Sequence, residues 1–155
     1  MQFPQPTLLL IATATVTGVA ANASPASCLG GLRLALVAGG FSGSTDCEQD
    51  RLSIRYVGEV ESFGRSYKIY VNRYRLKPAC PECAVHGGQR IIFMEHNRYL
   101  GQYKSDFADV TIRHGHLFIV KRGSPNPRRV QAVQFTFKGP PKSCWDGNDV
   151  LTFSP

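Results

Sequence analysis

The chain has 155 residues, 43% hydrophobic and 19% charged, with a formal net charge of +7. This is enough for one domain with a real core, so wholesale disorder and a large α/β enzyme are both excluded. No apolar run reaches the roughly 20 residues that a membrane-spanning helix needs.

The first charged side chain is Arg33. Ahead of it runs an apolar stretch from Leu8 to Ala20, ending in Ala21-Asn22-Ala23, which has the A-x-A form of a cleavage signal. Residues 1–23 are therefore expected to be a secretory signal peptide, although no Lys or Arg precedes the apolar run. Lipid attachment at Cys28 is disfavoured, because a proline, Pro25, stands where an aliphatic residue belongs. Residues 24–50 are poorly specified. The stretch Leu29 to Phe41 is broken by four glycines and reads as a loose segment or as a buried first strand around Leu34-Ala35-Leu36-Val37. Asp46, Glu48 and Asp50 alternate, but Arg51 and Val57 occupy positions where a calcium loop of the EF-hand type requires Gly and Glu.

From residue 51 to 155 the apolar pattern has period two, which marks half-buried strands of a single β-rich domain. Strands are expected at Leu52 to Val57, through Tyr67, Ile69 and Val71, and at Arg90 to Met94. Further strands are expected through Ala108, Val110 and Ile112, at Leu117 to Val120, through Val133, Phe135 and Phe137, and at Val150 to Phe153. Turn chemistry separates them. Glu95-His96-Asn97-Arg98 and His114-Gly115 mark hairpins, the latter with glycine at positive φ, and Gly139-Pro140-Pro141 ends a strand. The expected fold is all-β, a small antiparallel sandwich or barrel built largely from hairpins.

The five cysteines are Cys28, Cys47, Cys80, Cys83 and Cys144. In an oxidising compartment disulfides are the default reading, with one cysteine left over. The expected bridges are Cys28–Cys47 and Cys144 to Cys80 or Cys83, the second closing a loop of about 60 residues and worth about 4 kcal/mol. Cys80-Pro81-Glu82-Cys83 also fits a redox motif or, with His86 and Cys144, a metal site. The poor helix start at Ala84 to Gly88 opposes the first, and the lack of a second ligand pair opposes the second. His114-Gly115-His116 resembles a metal-binding H-x-H, but a turn there splays the two rings. No metal and no cofactor are assigned.

The strongest compositional signal is basic. Arg65, Lys68, Arg73, Arg75 and Lys77 are interleaved with Tyr67, Tyr70 and Tyr74. Arg65, Lys68, Tyr70, Arg73, Arg75 and Lys77 are the expected binding residues, and an anionic polymer or an acidic protein is the expected partner. The plainer reading of the same charges is a solvated strand face that resists aggregation. A small secreted hydrolase of the ribonuclease kind is the alternative, with Glu95 and His96 as acid and base and Arg90 and Arg98 beside them. Strand alternation opposes it, because it places neighbours on opposite faces. The sequence thus reads as a secreted or periplasmic, disulfide-tied domain that acts by binding.

Overall fold

The structure is a computed structural model and describes residues 31–41, 43, 53–76, 78, 80–84 and 86–155. The leader and the Cys28–Cys47 pairing lie outside the described residues, as does Lys77. The body is mostly antiparallel β-structure built from hairpins. Its elements are α1 (Leu32–Ala38), β1 (Ser53–Ser62), β2 (Arg65–Arg75), β3 (Gly87–Glu95), β4 (Arg98–Ser105), β5 (Ala108–Arg113), β6 (His116–Lys121), β7 (Ser143–Trp145) and β8 (Val150–Ser154).

Six strands form one sheet in the order β1-β2-β3-β4-β8-β7, and β5 and β6 form a separate hairpin. The tight turns follow the local chemistry. His96 and Asn97 both take positive φ between β3 and β4, as do His114 and Gly115 between β5 and β6. Such two-residue turns match the twist of the strands they join.

The period-two pattern sorts the sheet's two faces. Tyr67, Ile69 and Val71 of β2, Ile91 and Phe93 of β3 and Tyr103 of β4 point to one side, where Val110, Leu117 and Ile119 of the β5–β6 hairpin cover them. The hairpin lies close over β1. A bulge between Tyr56 and Gly58 interrupts the β1–β2 register, and Gly58 has φ +147°. A Cβ on Gly58 would stand 2.9 Å from Ile112 Cδ1. On the other side Ile92, Met94, Tyr99 and Tyr70 meet Leu36 and Phe41.

That second cover corrects the expected strand at 34–37, which is the helix α1. Leu32, Ala35 and Leu36 fall at helical spacing and pack on the sheet, while Leu34 and Val37 are exposed. The helix ends in a Schellman motif. Phe41 N–H donates to Leu36 O at 2.9 Å, and Gly40 N–H donates to Val37 O at 3.1 Å with Gly40 at φ +79°. The accompanying apolar contact is Phe41 on Leu36, which carries the chain down onto the sheet.

A second correction concerns Val133 to Phe137, which is not a strand. Val133 is buried and donates one bond to Leu117 O, but Thr136 and Gly139 exchange hydrogen bonds across a tight turn. Phe137 therefore sits at a turn tip, 71% exposed. Pro140 and Pro141 lack the N–H groups that a ladder would need.

Candidate functional site

The sequence-predicted basic residues separate in the structure. Lys68 and Tyr70 stand on the helix-covered side of β2, with Lys68 opposite Glu59 of β1 and Tyr70 packed against the α1 cluster. Alternation puts Arg65, Arg73 and Arg75 on the other side. Arg65 is committed to structure. Its Nε donates to Glu95 Oε1 at 2.5 Å and its Nη2 donates to Glu95 Oε2 at 2.8 Å. Other cations are similarly engaged: Arg98 with Glu95, Lys121 with Asp149 and Arg122 with Asp109. Among the described residues neither Arg73 nor Arg75 meets a carboxylate at ion-pair distance.

Arg73 and Arg75 instead line a groove of about 560 Å³ with Ser53, Tyr74, His86, Gly87 and Phe107. It lies at the end of the sheet where the hairpin cover stops, since β5 begins only at Ala108. Among the described residues no acidic side chain lines it. Two residues apart along β2, the arginines are separated by about 6.8 Å of strand rise. Arg73 is aimed by a wholly buried neighbour. Its Nε donates to Gln89 Oε1 at 3.1 Å, and Gln89 Nε2 in turn donates to the Ala108 carbonyl at 2.8 Å. Among the described residues the Nη nitrogens of Arg73 have no hydrogen-bond partner.

Phe107 forms part of the opposite wall. It is 49% exposed and holds φ +117°, a conformation that an aromatic residue adopts at a cost of about 1–3 kcal/mol. Arg122 N–H holds its carbonyl at 3.0 Å. Neither Phe107 nor Gln89 was legible in the sequence, because no turn signal marks a positive φ at a phenylalanine and Gln89 reads as an ordinary strand residue. The groove is thus a cationic slot with an exposed ring and a pre-aimed guanidinium, suited to acidic groups spaced along a chain.

The setting of Glu95 opposes a role as acid or base. It is nearly buried, and the Arg65 hydrogen bonds, reinforced by Arg98, hold its carboxyl down at about 2 against the opposing effect of burial. His96 occupies the exposed hairpin turn beside it. A carboxylate so strongly favoured is a poor proton donor or acceptor near neutrality.

The cysteines also depart from expectation. Cys80 and Cys83 are bonded to each other, with Cα atoms 5.1 Å apart, in the loop between β2 and β3. Cys144 is on β7, three strands beyond β3, so about 14 Å of sheet separates it from that loop, more than a disulfide spans. Burial pushes its thiol up to about 11, and it has no disulfide partner among the described residues. The Cys80–Cys83 bond also takes up the two thiols that a metal site there would use. Among the described residues no three His, Cys, Asp or Glu side chains converge as metal ligands.

Comparison with protein-family models, with the curated proteins and with the solved structures finds no match. The functional reading rests on the groove itself.

Proposed function

We propose that the chain is an exported binding protein, secreted or periplasmic, whose groove at the end of β1–β3 takes successive acidic groups of an anionic polymer. The carrying observation is that Arg73 and Arg75 share a groove without a carboxylate partner among the described residues, whereas Arg65, Arg98, Lys121 and Arg122 are all ion-paired. Cations left uncompensated beside an exposed ring are a surface prepared for phosphate, sulfate or carboxylate. The apolar leader and the A-x-A signal support export. The Cys80–Cys83 bond agrees with an oxidising compartment. An acidic protein face would use the same charges, but an open slot with two cations in line fits a flexible chain better.

The test uses three labelled probes, polyuridylate, heparin and polyglutamate, which separate phosphate, sulfate and carboxylate. Binding to at least one is expected by fluorescence anisotropy, weakening as salt rises. Replacing Arg73 and Arg75 by glutamine lowers the slope of log K against log salt, by about one per arginine if the partner is a nucleic acid. Lys68→Gln, on the other face, leaves binding as it was. Salt-insensitive binding to all three probes, or equal loss from Lys68→Gln and the arginine variants, refutes the groove.

A further inference from the structure

Two tight turns at one end of the sheet carry phenylalanine where turn chemistry calls for glycine or a small polar residue. Register places the β1–β2 and β3–β4 turns at the same end, since Ser62 faces Arg65, Lys68 faces Met94 and Glu95 faces Arg98. Phe63 and Gly64 close the first with φ +50° and +69°. That geometry favours Asn, Asp or Gly, and a phenylalanine holds it against strain. Phe63 is nevertheless 67% exposed, so packing of its ring offsets little of that strain. Phe137 and Lys138 form the tip of the turn between Thr136 and Gly139, and Phe137 is also largely exposed. Among the described residues these are the two most exposed aromatic side chains. Arg65, two residues after Phe63, ties the tips together, because its Nη1 donates to the Phe137 carbonyl at 3.2 Å.

Cations back the rings. Over 61–66, 95–98 and 136–139 the charged side chains are Arg65, Arg98 and Lys138 against Glu61 and Glu95, which leaves one net positive charge. Both arginines hold Glu95, and the Arg98 side chain remains 71% exposed. Lys138 Nζ lies 5.6 Å from the Phe137 ring centre and meets no carboxylate at ion-pair distance among the described residues. Exposed rings on turn tips with cations beside them match the layers of an anionic bilayer surface, where aromatic side chains settle among the headgroups and cations meet the lipid phosphates. A protein partner is matched by a continuous apolar patch with a buried centre. Single rings on separate turns suit a soft lipid surface that moulds around each of them.

We propose that this end of the sheet docks on anionic phospholipid bilayers, with Phe63 and Phe137 inserted among the headgroups and Arg98 and Lys138 against the phosphates. The Arg73–Arg75 groove stands toward the other end of β2, about 27 Å away over the eight residues from Arg65 to Arg73. Neither surface depends on the other.

The experiment uses the full chain and vesicles of phosphatidylcholine, alone or mixed equally with phosphatidylglycerol. Trp145 is the only tryptophan, and it pairs with Val150, four residues before the Ser154 that faces Gln102, hence toward the groove end of the sheet. Phe63→Trp and Phe137→Trp each add a second indole. With brominated phosphatidylcholine in the mixed vesicles, each added indole is quenched and Trp145 of the wild type is not, whatever else in the chain adheres to lipid. Mixed vesicles bind about fivefold more tightly than neutral ones, for one net charge. Phe63→Asn, the better turn residue, raises the thermal midpoint yet lowers vesicle partitioning about tenfold by cosedimentation. An unquenched indole at either position, equal partitioning of Phe63→Asn and the wild type, or binding with no preference for phosphatidylglycerol overturns the proposal. So does a blue shift of the added indoles that grows with protein concentration in the absence of lipid, which assigns the tips to contact between copies of the chain.

Discussion

The Arg65–Glu95 pair makes a quantitative claim about acid stability. Glu95 titrates at about 2 in the folded chain against an ordinary 4.5, chiefly through the hydrogen bonds from Arg65. At about 1.36 kcal/mol per unit, that depression corresponds to about 3 kcal/mol. The Arg65 side chain is 30% exposed, and water screening an open guanidinium reduces the sum to about 1–2 kcal/mol. The folded value lies below the unfolded one, so the stabilisation is complete above pH 4.5 and is lost as pH falls from there toward 2. Urea denaturation of the wild type and of Glu95→Gln between pH 6 and pH 2 measures it. Glu95→Gln lacks the pH-dependent part, so its curve is flatter by about 1–2 kcal/mol over that window. A Glu95 carboxyl that titrates near its ordinary value by carbon-detected NMR, or two proteins that lose stability in parallel, refutes the pairing. The first result would also return Glu95 to contention as a proton carrier.

Three further outcomes are expected. Gly58→Ala lowers stability by about 1–2 kcal/mol, mostly from backbone strain at φ +147°, since the crowded Ile112 Cδ1 is the flexible tip of its side chain; a shift in thermal midpoint reports it. Phe107→Gly relieves positive φ and raises stability by about 1 kcal/mol, yet it weakens polyanion binding by removing the exposed ring. Iodoacetamide at pH 8, read by peptide mass mapping, labels Cys144 about 100-fold more slowly in the native chain than in the unfolded one, because burial holds the thiol about two units above its ordinary value.

Features governed by neighbours in sequence were legible. His96-Asn97 and His114-Gly115 supply residues that tolerate positive φ at two-residue turns, and the inward set Tyr67, Ile69 and Val71 follows from alternation alone. Features decided by remote packing were not. Leu32 to Ala38 is equally apolar as a strand or a helix, and only the open sheet face beneath it selects the helix. Phe137 continues an alternation that the Thr136–Gly139 turn cuts short. The basic cluster on β2 was visible as composition, but its division depended on Glu95, thirty residues away, claiming Arg65 while Arg73 went to Gln89. Phe107 carries no local signature, since it matters through what faces it across the groove.

The irregularity in β1 bears on how copies of this protein coexist. A margin of ten residues, Ser53 to Ser62, with no strand beside it among the described residues is the kind of border along which chains zip together. The kink at Tyr56–Gly58 and the outward Arg55, Glu59 and Glu61 roughen that border. On the proposed reading, a long polyanion gathers many molecules side by side at high local density. The distorted border lets them crowd there while each remains a separate, reversible passenger and does not seed a fibre.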